Sequence, residues 1–214
     1  MVDIDTIIFD VDGTLVDSRK DIVKAVNFTL SKLGLPEKPP ELIVSYIGTG
    51  TRDLLNKSLG SKNYSFAEEA FRIFSEYFPK HSADESSLYP HVEEILKYFK
   101  NKRKLVITNR NRKFAEITLR KLGIKNYFEE IVGGDDVNCM KPSACPLDRL
   151  SSKIEMKKSK TIIVGDMDID IRTGKNFGIK TCWVTYGLGN REDIEKIKPD
   201  YIIDDIIELK NIIR

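Results

Sequence analysis

The sequence predicts an α/β protein: a doubly wound parallel sheet with an α-helical cap inserted after its first strand. Three observations predict it. Short β-branched runs recur that are apolar on both faces, amphipathic segments lie between most of them, and one interval of about 70 residues breaks the alternation. Runs of the first kind read as buried parallel strands, and their alternation with helices reads as a sheet covered on both sides.

Strands are expected at Thr6 to Phe9, Leu105 to Ile107, Ile131 to Val132, Thr161 to Val164, Cys182 to Val184 and Tyr201 to Ile203. Helices are expected from Phe114 to Leu122 and from Asp168 to Phe177, stopped by Gly123 and Gly178, since glycine accepts the left-handed cap at low cost. The interval from Ser18 to Leu88 contains no convincing strand. It opens with a Ser18-x-x-Asp21 box and runs to Leu33, before Gly34-Leu35-Pro36. Ile22, Val26, Leu30 and Leu33 share one helical face. A second box, Ser65-x-x-Glu68, starts a helix through Phe71, Phe74 and Phe78 to Pro79. Residues 36–40, with three prolines, form a bend inside the cap. The expected organisation is a core of residues 1–17 and 89–214 and a cap of residues 18–88, with no internal repeat and no low-complexity segment.

A chain of 214 residues fits one domain carrying a large insertion. Its folded surface should be roughly 10,000 Å², against roughly 35,500 Å² unfolded, so a core can form without covalent staples. Thirty-five basic and 33 acidic residues nearly cancel to +2, which offers no case for a nucleic-acid partner. Cys139, Cys145 and Cys182 form neither an even set nor a metal-binding pattern, so reduced thiols are expected. Acidic residues at positions 3 and 5, and the lack of a long apolar run, point to a cytoplasmic protein with no membrane partner.

The first strand ends in Asp10-Val11-Asp12-Gly13-Thr14. Two carboxylates there stand where open α/β sheets bind ligands, although an Asp-Gly pair is also ordinary turn chemistry. Thr108-Asn109 follows the second strand and can donate to phosphate oxygens, or simply cap the next helix. Lys141-Pro142 can aim a cation inward, though most lysines only solvate a surface. Gly165-Asp166-Met167-Asp168-Ile169-Asp170 follows a buried run. Asp168 and Asp170 suit a helix's first turn; Asp166 has no such explanation. If these strands are neighbours, the carboxylates, hydroxyl and lysine converge on one edge. Clustered carboxylates repel unless a cation compensates, and a sparse all-oxygen set suits Mg²⁺ with a substrate phosphate. A Mg²⁺-assisted phosphoryl site is the expectation.

Over nearly the whole chain, these four motifs in this order resemble the haloacid dehalogenase-like phosphohydrolases, and among them the branch similar to phosphoglycolate phosphatases. The segment Ile47 to Leu55 is similar to that branch's substrate-facing cap loop. The resemblance implies a Rossmann-like core, a small phosphate ester as substrate, with 2-phosphoglycolate favoured, and a monomer or homodimer. It further implies that Asp10 is the nucleophile that forms an aspartyl-phosphate. Asp12 would be the acid and base, Lys141 and Thr108 would hold the phosphate, and Asn109 would orient them. Mg²⁺ would sit on Asp10, the Asp12 carbonyl and Asp166, with Asp170 placing a bound water. Arg52 is the candidate contact to the organic part.

The chain departs from the pattern at Met167, where many relatives have Ser or Thr, at Pro90-His91 in place of Pro-Gly, and at Arg110 in place of Lys. His81 and His91 have no role in such a mechanism, and Tyr186-Gly187-Leu188-Gly189 reads as a plain loop, lacking a dinucleotide fingerprint. Two alternatives remain: a sugar phosphomutase using the same aspartyl-phosphate, and a receiver-like module that stores phosphate. Asp12 and the cap weigh against the second, and Asp12 also weighs against dehalogenase chemistry.

Overall fold

In the computed structural model, which describes residues 1–214, the strands in chain order are β1 (Thr6–Phe9), β2 (Val16–Asp17), β3 (Ser87–Leu88), β4 (Arg103–Ile107), β5 (Glu130–Val132), β6 (Thr161–Gly165), β7 (Lys180–Val184) and β8 (Tyr201–Ile203). Six of them form one parallel sheet in the order β5-β4-β1-β6-β7-β8. β1 is central: the chain builds outward to β5 on one side and then crosses to β6 on the other. Such a reversal opens a crevice at the strands' carboxyl ends.

The helices are α1 (Arg19–Lys32), α2 (Pro40–Val44), α3 (Thr51–Leu59), α4 (Ala67–His81), α5 (Val92–Tyr98), α6 (Arg112–Lys121), α7 (Cys145–Lys153), α8 (Asp168–Phe177), α9 (Arg191–Ile197) and α10 (Leu209–Ile212). Alternation along the strands explains the two-sided burial seen in the sequence. Ile7 and Phe9 of β1 pack with Val92, Ile95 and Leu119 on one face, while Ile8 packs with Leu147, Leu150 and Phe177 on the other. Each such fully buried apolar side chain stabilises the sheet by about 1.5–3 kcal/mol. The accessible surface of 9987 Å² agrees with the expectation from chain length.

Helices α1 to α4 gather a separate apolar cluster from Ile22 to Phe78, with Phe114 of α6 joining it from below. The interval is not wholly helical. Ser87–Leu88 pairs antiparallel with Val16–Asp17, tying the two crossings between cap and sheet into a ribbon.

Neither expected capping box forms. Ser18 caps nothing; its hydroxyl donates to Asp12 instead. Asp21 turns to the returning chain, where its carboxylate accepts from the Ser86 N–H at 2.8 Å, the Ser86 hydroxyl at 2.6 Å and the Glu85 N–H at 3.0 Å. The Ser65–Glu68 box also fails, because a tight helical run over Ser61–Phe66 precedes α4, which starts at Ala67. Pro79 does not end α4 but lies within its last turn. The reduced-thiol expectation is corrected for two of three cysteines. The loop bearing Lys141 folds back so that Cys139 and Cys145 stand 5.8 Å apart at Cα and pair as a disulfide. Cys182 alone is a buried free thiol. His91 has φ 60°, the left-handed backbone that explains why glycine is frequent there, and its ring is held by Asp205 at 2.7 Å. No helix is long and apolar enough to cross a membrane.

Candidate active site

The carboxyl ends of β1, β4 and β6 bring Asp10, Thr108 and Asp166 to one edge, and the loop after β5 adds Lys141. All four are buried. The Lys141 ammonium lies 2.8 Å from Asp10 Oδ1 and 2.6 Å from Asp170 Oδ1. Burial disfavours its charge, but the two carboxylates outweigh that and hold its pKa above the usual lysine value. Asp10 Oδ1 is nonetheless poorly aligned with that ammonium and has no hydrogen-bond partner. A buried carboxylate oxygen left in this way is costly unless a ligand engages it.

Carboxylate oxygens of Asp10, Asp166 and Asp170 lie within 4.8 Å of one another. Burial first, then the neighbouring Asp170 and Asp10, push the Asp166 carboxyl well above its ordinary range. Burial likewise raises Asp170 to about 6, opposed by Lys141. Three buried carboxylates share one buried lysine, so a divalent cation fits the surplus charge, and the all-oxygen set fits Mg²⁺. The Asp12 carboxylate stands outside this trio. It accepts from Ser18 Oγ and from Arg110 Nη2; burial raises its pKa, and Arg110 opposes that rise.

Asn109 acts on backbone. Its amide donates to the Gly48 carbonyl of the cap loop at 2.8 Å and to the Lys141 carbonyl at 3.1 Å, and its Oδ1 accepts from the Lys141 N–H at 2.9 Å. It therefore fixes the lysine loop and latches the cap at once. Thr108 Oγ1 lines the cavity and accepts from the Arg110 N–H at 3.2 Å. Met167 lies directly under Gly48, where the backbone φ of 108° rather than the flexible Met167 side chain demands glycine.

Arg52 is the residue the structure does not bring in. Its guanidinium forks onto Glu68 at 2.6 and 3.2 Å and lies 4.1 Å over the Phe71 ring, all within the cap. The α3–α4 packing satisfies it there, and it does not line the cavity that holds Asp10 and Lys141.

Two participants have contacts that the sequence reading did not assign. Arg110 is buried against Asp12, Thr118 and the Phe78 ring. The loop read as plain, residues 186–189, wraps Asp166: the Leu188 N–H donates to its Oδ2 at 2.7 Å, beside the Thr14 hydroxyl on Oδ1 at 2.7 Å. A Cβ on Gly187 would stand 2.2 Å from that of Asp166, and one on Gly13 2.2 Å from its Oδ2. The signal was available as a glycine pair directly after a buried strand, which marks close approach to something.

A doubly wound sheet with a helical cap over a buried carboxylate–lysine cluster at the switch point is the architecture of a hydrolase class. The haloacid dehalogenase-like hydrolase profile matches residues 7–184. The chain is similar to a phosphoglycolate phosphatase of Aquifex aeolicus (strain VF5), 34% identical over 212 residues covering 92% of this chain and 98% of that one. It is similar to another from Haemophilus influenzae, 32% identical over 96% of both chains. The crystal structure of a predicted phosphoglycolate phosphatase from Haemophilus somnus 129pt superposes with a TM-score of 0.90 at 28% identity, covering 99% of each chain. The chain belongs to the haloacid dehalogenase-like hydrolases.

Proposed function

We propose that this phosphoric monoester hydrolase cleaves small phosphomonoesters, 2-phosphoglycolate foremost, through an aspartyl-phosphate on Asp10 and with Mg²⁺. The observation that carries the reading is the buried trio Asp10, Asp166 and Asp170 beside Lys141, at the switch point of the sheet. Bound there, Mg²⁺ would supply positive charge to the phosphate oxygens and to the Asp10 carboxylate. Asp10, Asp166 and the Asp12 carbonyl would hold it, with Asp170 ordering a bound water.

The other steps belong to the chain's own side chains. Lys141 and Thr108 bind the equatorial oxygens, where negative charge gathers in phosphoryl transfer. Asp10 attacks phosphorus, and the ester oxygen leaves with a proton from Asp12. The Asp12 carboxylate then takes a proton from the water that attacks phosphorus and frees Asp10. Asn109 keeps Lys141 in place, and the cap excludes competing water. The cavity beneath the cap measures about 40 Å³, room for about three waters. This favours a small ester over the hexose phosphate of a mutase. The test is phosphate release across a panel of phosphomonoesters with and without Mg²⁺. Mg²⁺-dependent release from 2-phosphoglycolate supports the reading, and isomerisation of a hexose phosphate without release contradicts it.

A further inference from the structure

The loop that carries Lys141 runs from the end of β5 to α7 with no strand or helix of its own. Two cysteines bracket the lysine within it: Cys139 and Cys145, six residues apart in sequence, are joined by a disulfide. The ring so closed holds Met140, Lys141, Pro142, Ser143 and Ala144. It is pinned on both sides. Asn109 holds the Lys141 backbone through its N–H at 2.9 Å and its carbonyl at 3.1 Å, and the Asn176 amide donates to the Pro142 carbonyl at 2.9 Å. Met140 lies against the cap loop, where a Cβ on Gly50 would stand 3.1 Å from its sulfur. The disulfide therefore completes a frame around the ammonium that reaches Asp10 and Asp170.

The cysteines differ in access. Cys182 is fully buried in the sheet, and burial pushes its thiol up, so it is inert to exchange. Cys139 and Cys145 are half-buried, and Cys139 stands between exposed Asn138 and exposed Met140. Cys145 is the first residue of α7, a helix of 9 residues; the helix N-terminus favours its thiolate and makes it the better leaving group. A dithiol can therefore reach the bond and open it. Its thiolate attacks Cys139 Sγ, the sulfur–sulfur bond breaks, and Cys145 leaves as the thiolate. The second thiol attacks the mixed disulfide and frees Cys139, so two electrons and two protons pass to the protein and the dithiol ends as a disulfide. Neither cysteine belongs to an apolar cluster of the core, and α7 stays anchored through Leu147 and Leu150. Opening the bond loosens the lysine loop and leaves the sheet packed.

We propose that Cys139 and Cys145 form a thiol–disulfide exchange site that switches the enzyme: the disulfide holds Lys141 beside Asp10, and reduction by a dithiol frees the loop and lowers turnover. This rests on the phosphatase reading, in which Lys141 binds the transferring phosphoryl group, and adds to it a modification site and the class of reagent that acts there.

The test compares the wild-type protein in two redox states, with reactive thiols counted by alkylation of the native protein and intact mass. Oxidised protein should take up no label, and protein reduced with dithiothreitol and freed of it should take up two. On reduction, kcat for 2-phosphoglycolate with Mg²⁺ should fall on the order of 10-fold, and reoxidation should restore it. Amide hydrogen exchange should quicken over residues 139–145 and stay unchanged in β1 and β6. The double variant Cys139→Ser/Cys145→Ser should show the reduced protein's turnover with or without dithiothreitol; the wild-type comparison stands without it if it fails to fold. Equal turnover in the two states would overturn the proposal, as would a bond that dithiothreitol leaves intact or a double variant that still responds to the reagent. Exchange quickened throughout the sheet would also overturn it, since a plain staple loosens the whole fold. Absence of phosphate release in both states would instead sink the phosphatase reading, while the exchange rates at 139–145 would still decide whether a dithiol frees the loop.

Discussion

The sheet edge and the cap meet across one cavity, yet they contribute opposite chemistry. From the sheet edge come Asp10, Asp12, Thr108, Asn109, Arg110 and Lys141; from the cap come Ile22, Ile47, Gly48, Gly50, Thr51, Leu54, Phe74 and Phe78, with no charge among them. The polar groups of the edge are locked by one another and by backbone, as with Asn109 on both sides of Lys141. The cap's own charged contacts, such as Arg52–Glu68, point elsewhere. On the proposed reading the difference is a division of labour: rigid strand ends would hold the reacting groups to tolerance, while the helical cap would supply shape and dryness.

The hardest blow to that division is Asp10→Asn. It should lower turnover on the order of ten-thousandfold or more while the melting temperature shows a folded protein; near-normal turnover would put the nucleophile elsewhere. Next comes Gly187→Ala, which drives a methyl into Asp166. Mg²⁺ affinity or activity should fall by about 10- to 100-fold, and an unchanged Mg²⁺ titration would show that the loop does not position Asp166.

A smaller effect is the pH dependence of metal stabilisation. Asp170 is raised from 3.8 to about 6 in the folded protein. A carboxyl shifted upward contributes stability fully present below its ordinary pKa and lost as pH rises through the folded value. Without metal, therefore, the site weakens the fold progressively from about pH 4 to about pH 7, and Mg²⁺ counters that loss. The rise in melting temperature on adding Mg²⁺ should be larger at neutral pH than at pH 5; equal rises would contradict it. The smallest effect belongs to Arg52→Ala. Its partners are exposed, so stability should move by no more than about 0.5 kcal/mol and steady-state kinetics should hold. A selective rise in KM for carboxylate-bearing esters would return substrate recognition to the cap.

Much of this arrangement is legible in the sequence because buried parallel strands leave a local trace. Thr6–Phe9 and Tyr201–Ile203 are bounded as the apolar runs suggest, and β4 and β7 differ only in starting two residues earlier. The convergence of Asp10, Thr108 and Asp166 follows from strand order once each motif is placed at a strand end, and the loop after β5 carries Lys141 to them. What local pattern does not carry is partner choice. Ser18 and Asp21 look like a helix cap, but Asp12 and the Ser86 segment compete for them more strongly. Arg110 looks like one cation among many until burial singles it out. The Cys139–Cys145 pairing lies in the loop whose Lys141 backbone is held by Asn109, 32 residues away in sequence.

The central claim is that Asp10 carries the phosphoryl group. Borohydride added during turnover reduces an acyl phosphate to an alcohol, so trapping with 2-phosphoglycolate and Mg²⁺ followed by peptide mass analysis reads the site directly. The account predicts homoserine at position 10, dependent on substrate and absent from Asp10→Asn. Phosphate release with Asp10 left intact, or homoserine at another aspartate, would contradict it.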